Sequence, residues 1–169
     1  MTITRETKEE EIVELGKIEC GDCDHCCRFG GGYLLPGEIK EISKNLKLSE
    51  DEFKKNHLEE AEKFNTKLFR FKSIKIKNNY GPCIFLENKK CAINEFKPLY
   101  CRIGTCSKDG EEIVKWFDLN FCVNANDPES VRQYASFLKS SNAIEGGKLG
   151  ELIKDEKRLK EILSYEMLK

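Results

Sequence analysis

Histidine, proline and tryptophan are scarce in this sequence, with two, four and one residues respectively. His57 lies among Lys and Glu on a predicted helix and reads as solvated, whereas His25 sits inside a stretch already crowded with thiols. A nucleotide-binding loop is missing too. Gly30-Gly31-Gly32 has neither the lysine of a P-loop nor the spacing of a dinucleotide fingerprint, and no S-adenosylmethionine fold is recognisable. No apolar run approaches the ~20 residues of a membrane span. The stretch Met1 to Glu11 lacks the apolar core of a signal peptide. A cytoplasmic protein with no membrane partner is therefore expected. Charge of one sign is also lacking: 29 Lys and Arg against 30 Asp and Glu leave a net charge of −1. No global field draws the chain to nucleic acid. Internal repeats and low-complexity linkers are absent.

Cysteine is what the sequence has in excess. Four of its nine thiols fall within Cys20-Gly21-Asp22-Cys23-Asp24-His25-Cys26-Cys27, and the others are Cys83, Cys91, Cys101, Cys106 and Cys122. Cytosolic thiols stay reduced in most organisms, so nine of them there favour metal over disulfides. The 169 residues, 39% apolar and 35% charged, can fill one core with little to spare. A structural zinc site would offset that deficit by roughly 10–16 kcal/mol of folding free energy. The expectation is one domain over 1–169, with a cysteine core at about 18–122 and a helical C-terminal part at about 127–168.

Residues 7–15 fit a short helix or the lead into a strand ending at Ile18. The three glycines at 30–32 predict a loop that brings backbone close to sulfur. Ile39, Ile42 and Leu46 recur at helical spacing after Pro36-Gly37-Glu38. Ser49 to Glu52 is a capping box, with Phe53 and Leu58 on the helix it opens. These two helices predict a hairpin covering the core. Leu68 to Lys77 alternates apolar with basic residues as a half-buried strand does, slipping phase at Ser73, where a bulge or bend is expected. Its basic row Arg70, Lys72, Lys75 and Lys77 suits an edge that blocks aggregation, or contact with an acidic protein partner. Cys83-Ile84-Phe85-Leu86 and Cys91-Ala92-Ile93 predict a hairpin with a thiol at the start of each arm. Cys101 and Cys106 are expected on irregular backbone around Gly104. Glu112 to Leu119 is expected as a strand, with Cys122 just past its end. Asp127-Pro128 opens a helix carrying Val131, Tyr134, Ala135 and Leu138, and a last helix is expected over about Leu149 to Met167. The fold class is α+β: a small cysteine-rich domain of short strands, several helices and a metal centre.

Two metal chemistries fit the thiols. A structural zinc finger pairs one C-x2-C knuckle with a distant ligand pair. Three cysteines at regular x2 spacing with a fourth adjacent exceed one knuckle. The run C-x2-C-x2-C is how bacterial ferredoxins hold three corners of a cubane, the fourth ligand coming from a remote cysteine. Arg28 and Arg102, each directly after a cysteine, are placed to temper thiolate charge. Both chemistries stay open.

Cys20-x2-Cys23-x2-Cys26-Cys27-Arg28, Gly81-Pro82-Cys83-Ile84-Phe85-Leu86, Cys91-Ala92-Ile93 and Lys97-Pro98-Leu99-Tyr100-Cys101-Arg102 together resemble the YkgJ-type cysteine cluster family, also called CxxCxxCC. The resemblance runs from about Ile18 to Cys106. It implies a zinc- or iron-chelating domain, often labelled as containing an iron–sulfur cluster, with some relatives in flagellin lysine N-methylases. It also implies Cys20, Cys23, Cys26, Cys27, Cys83, Cys91 and Cys101 as the metal set, with Cys106 as an added ligand or a local thiol. Lys97, where the family commonly has arginine, and Ile103-Gly104-Thr105-Cys106 depart from its pattern. The leading expectation is a protein carrying a [4Fe–4S]-type cluster on these thiolates, for redox chemistry or protein modification. The alternatives are a structural zinc module that meets a partner and a protein related to lysine N-methylases. Whether it is an enzyme stays open.

Overall fold

Apolar residues spaced three and four apart set the longer helices, and tight turns with residues at positive φ join the short strands. A computed structural model describes residues 2–17, 23–77 and 79–165. Ile18, Cys20 and Met167 lie outside the described residues. The chain is mixed α+β and divides into two compact units. One comprises Met1–Ile12, Glu62–Lys67 and Glu111–Lys169, the other Val13–Ala61 and Leu68–Gly110. Among the described residues no helix is long and apolar enough to cross a membrane.

The second unit carries Cys23, Cys26, Cys27, Cys83, Cys91, Cys101 and Cys106. Helix α1, Glu9–Leu15, resolves the ambiguous stretch at 7–15 as helical and runs into this unit at Val13. The short α2, His25–Arg28, is followed by the glycine loop and β1, Tyr33–Leu34. Helix α3, Pro36–Asn45, buries Ile39 and Ile42 as their spacing predicts. Helix α4, Glu50–His57, begins at the expected capping box: Ser49 Oγ accepts from the Glu52 amide, and a Glu52 carboxylate oxygen accepts from the Ser49 amide. Leu58 is not on that helix but opens β2, Leu58–Lys63. Strand β3, Thr66–Phe71, returns through Phe64 and Asn65, both at positive φ, the geometry of a tight two-residue hairpin. β1 pairs with β3 antiparallel, with Tyr33 opposite Arg70 and Leu34 opposite Phe69.

The alternating run at 68–77 is two strands. It breaks at Lys72 and resumes as β4, Ser73–Ile76, with a register shift between Ser73 and Lys75 where a bulge was expected. The expected half-buried face is absent from β4: Ile74 is 50% and Ile76 54% exposed. Arg70 Nε is 2.6 Å from Glu59 Oε1, so this member of the basic row has an acidic neighbour within its own sheet.

The hairpin expected over 83–93 is smaller than predicted. Cys83 ends β5, Asn79–Cys83, and stands opposite Ser73 of β4. The hairpin proper is β6, Leu86–Glu87, with β7, Lys90–Cys91, turning through Asn88 and Lys89 at positive φ. Cys101 is not on irregular backbone but on α5, Leu99–Arg102, because Pro98 supplies a favourable start to a helical turn. Leu34, Ile39, Ile42, Phe53, Leu58, Phe71, Phe85 and Ile93 form the core with Cys83. His57 is half-buried rather than solvated, its ring stacked on Phe85 with centroids 5.4 Å apart.

In the first unit the stretch expected as a strand is helix α6, Gly110–Phe117. Ile113, Trp116 and Phe117 recur at three and four, and all three are buried. A π-helical turn, Asp118–Cys122, continues it and contains Cys122, which is therefore within the element rather than past it. Asp118, Leu119 and Cys122 are its buried residues. Trp116 Nε1 donates to Thr7 O at 2.8 Å. Helix α7, Pro128–Phe137, starts at the Asp127 cap as expected. The last helix is two pieces, α8, Leu149–Leu152, and α9, Glu156–Leu163. Ile153 is extended, and Asp155 caps α9 by accepting from the Arg158 amide.

Candidate metal site

Among the described residues, seven cysteines line one cavity of about 520 Å³ in the second unit: Cys23, Cys26, Cys27, Cys83, Cys91, Cys101 and Cys106. Local structure delivers each of them. Cys23 precedes α2, which holds Cys26 and Cys27; β5 ends at Cys83 and β7 at Cys91; α5 carries Cys101. Cys106 lies in the turn closed by the Ser107 amide donating to Gly104 O at 2.8 Å. Cys122 is elsewhere, buried in the first unit, where burial pushes its thiol up to about 12. Cys20 lies outside the described residues. Among the described residues no group of three donors is already drawn to the spacing of a bound ion.

Close backbone approaches hold this wall together. A Cβ on Gly32 would stand 2.4 Å from Cys101 Sγ, so only a glycine lets the loop pack on that thiol. This is the glycine–sulfur proximity that the loop at 30–32 predicts. Gly16 and Gly104 meet backbone to backbone: a Cβ on Gly16 would be 1.7 Å from Ile103 O, and one on Gly104 would be 1.8 Å from Gly16 O. Gly104 also needs its positive φ of 64° to turn the chain toward Cys106.

Glu38 is the positioning residue that sequence reasoning missed. One carboxylate oxygen accepts from the Leu35 amide at 2.8 Å, at the start of its own helix. The other accepts from the Leu99 amide at 2.6 Å, at the start of α5. It thereby ties the α3–α4 hairpin to the helix that carries Cys101. The short-range half is visible in Pro36-Gly37-Glu38, but nothing in the sequence announces a partner 61 residues away.

The electrostatics are those of crowded, partly buried thiols. The neighbouring Cys27 and Cys106 thiols lower the Cys26 thiol to about 5. Cys27 is raised by its neighbour Cys26 and by burial. Burial pushes Cys83 and Cys106 up to about 11, and raises Cys101 as well. Neighbouring thiols add to the rise at all three. Several thiolates this close repel one another, and a metal cation reverses the balance by deprotonating the sulfurs that bind it. Soft sulfur donors of this kind suit zinc and iron–sulfur centres. The donor set therefore fits the group that the motif implies.

Cations also reach the cavity, but not the pair expected. Arg102 lines it, as do Lys89 and Lys97. Arg28 instead places its Nε 2.8 Å from Asp24 Oδ1, and this hydrogen bond holds the Asp24 carboxyl below its usual value. His25 lines the cavity as an exposed side chain, its ring edge-on to Phe29 with centroids 5.1 Å apart.

Residues 19–123 match the family model CxxCxxCC, described as "Putative zinc- or iron-chelating domain". The chain belongs to the CxxCxxCC family. The matched stretch takes in all nine cysteines, and thus every thiol of the cavity. No curated protein and no solved structure matches the chain. Membership of the CxxCxxCC family makes this a metal-chelating domain, and leaves zinc and iron as the metals to choose between.

Proposed function

We propose that this CxxCxxCC domain is a cytoplasmic metal protein that carries a [4Fe–4S]-type cluster on cysteine thiolates. The ligands would be drawn from Cys20, Cys23, Cys26, Cys27, Cys83, Cys91, Cys101 and Cys106. One observation carries this reading: seven thiols from separate stretches of chain line a single cavity of about 520 Å³. A cluster binds its thiolates through different metal atoms, so its ligands enclose a larger space than the sulfurs around one tetrahedral ion at roughly 2.3 Å. The C-x2-C-x2-C run followed by remote cysteines is the ligand order of such clusters. When bound, the cluster would supply one-electron redox chemistry, used in electron transfer or in modifying a protein. The chain's own contribution would be to hold the sulfurs through α2, β5, β7 and α5, with cationic residues to offset their charge.

A second reading, a structural zinc module, is favoured by the packing of Cys27, Cys83, Cys91 and Cys101 on the apolar core. Anaerobic purification separates the two. The cluster reading expects a brown protein with iron and acid-labile sulfide in equal amounts. A colourless anaerobic preparation holding stoichiometric zinc would overturn it.

A further inference from the structure

Exposure and packing divide the seven thiols in the same way. Cys23, Cys26 and Cys106 are exposed, Cys27, Cys91 and Cys101 are half-buried, and Cys83 is buried. Cys83 belongs to the apolar core of the second unit, and Cys27, Cys91 and Cys101 pack against it, whereas the three exposed thiols have no place there. The division cuts between two adjacent residues. Cys26 and Cys27 follow one another on α2, where successive side chains point about 100° apart at 3.6 residues per turn. Cys26 keeps the x2 spacing of the motif and Cys27 breaks it, so the doubled cysteine supplies one thiol to each side of the helix turn.

The inner group has a complete donor count. Four thiolates close the tetrahedron of a structural zinc ion with no position left for water or substrate. Its members end β5 and β7 and sit on α2 and α5, so one ion would fasten four short elements, none of which is long enough to be stable alone. The apolar side of the site excludes solvent, which suits a redox-inert ion whose task is to hold the fold. The outer thiols face water, as a centre that exchanges electrons or ligands requires.

We propose that the cavity holds two unlike centres: an inner closed zinc site on Cys27, Cys83, Cys91 and Cys101, and an outer redox-capable site that uses Cys23, Cys26 and Cys106. This rests on the metal-binding part of the function proposed above, and is independent of whether the outer centre contains iron. The two centres meet at Cys26 and Cys27, which follow one another on α2.

The test is element-resolved. The full chain is purified anaerobically from medium containing both metals and reconstituted with iron and sulfide. Zinc, iron and sulfide are then counted in the unmutated protein and in Cys91→Ser and Cys106→Ser. One zinc per chain is expected, with an X-ray absorption edge showing four sulfurs at roughly 2.3 Å. Cys91→Ser should lose that zinc at least tenfold more readily while keeping iron, and Cys106→Ser should do the reverse. If Cys91→Ser fails to fold, the zinc edge of the unmutated protein decides, and fewer than four sulfur ligands overturns the inner site. A single metal lost alike from both variants also overturns the proposal, whichever metal it is. Two zinc ions lost one at a time would overturn the redox-capable outer site together with the iron–sulfur reading, because zinc carries no redox chemistry. Protein that takes up no metal removes both.

Discussion

Gly32→Ala isolates the contact between the glycine loop and a candidate ligand. The new methyl group would stand 2.4 Å from Cys101 Sγ and 3.3 Å from Tyr100 Cδ1, well inside van der Waals contact. Either the loop shifts or the Cys101 thiol swings to another rotamer. Because the sulfur is the end of a rotatable side chain, metal-free protein can escape the clash cheaply. Metal-loaded protein cannot, since its sulfur must stay in place. Overpacking of this size costs about 1–3 kcal/mol. Borne by the loaded state alone, at 1.4 kcal/mol per decade, it weakens metal affinity by roughly 5- to 150-fold. Competition against a chromophoric chelator reads that change, and thermal unfolding of the metal-free protein should shift far less. Gly37→Ala is the matched control: a Cβ there meets nothing within 4 Å, so the helix-favouring methyl should leave affinity unchanged. Equal affinity for Gly32→Ala and Gly37→Ala would refute the claim that the loop is packed onto a ligand sulfur.

Other outcomes follow from the same contacts. Glu38→Ala strips two amides of their carboxylate partner and should destabilise the protein by about 1.5–3 kcal/mol in denaturant titration, weakening metal binding as well; Glu38→Gln should recover part of both losses. Phe117→Ala empties a fully buried position in the first unit and should cost about 3–5 kcal/mol while leaving the affinity for metal within twofold. Burial raises the Asp118 carboxyl above its ordinary 3.8, against the opposing pull of Lys63. A carboxyl raised in the folded state binds more protons there than in the unfolded chain, so it makes stability fall as pH rises from 3.8 through the folded value. Asp118→Asn should remove that slope in urea titrations repeated across the acid range, and an unchanged slope would contradict the burial argument.

Sequence pattern carried the elements whose signals are local. The capping box at Ser49, the Asp127-Pro128 start and the stripe of α3 each arise within a few residues, and each forms as its chemistry predicts. Pattern misled where one run of residues satisfies two periods. Ile113, Val114, Trp116 and Phe117 are β-branched or aromatic and suggest a strand, but their three-and-four spacing wins because it buries Ile113, Trp116 and Phe117 together. Leu58 extends a helical period yet begins β2. Spacing alone brought Cys23, Cys26 and Cys27 to attention. The division of the thiols into an exposed set, Cys23, Cys26 and Cys106, and a core-packed set, Cys27, Cys83, Cys91 and Cys101, was not legible, since it depends on which thiols meet a core assembled from residues 34–93. Nor was the tie from Glu38 to Leu99, which joins segments distant in sequence.

The central claim is that these thiols face a common metal-binding cavity, and differential alkylation tests it most directly. Cys23, Cys26 and Cys106 are exposed. Native protein is treated with N-ethylmaleimide before and after chelation, and each cysteine is read by peptide mass spectrometry. Metal should protect all three, with modification rates rising at least tenfold on chelation, while buried Cys122 in the other unit stays unreactive in both states. Equal rates at Cys23, Cys26 and Cys106 with and without bound metal would contradict the account.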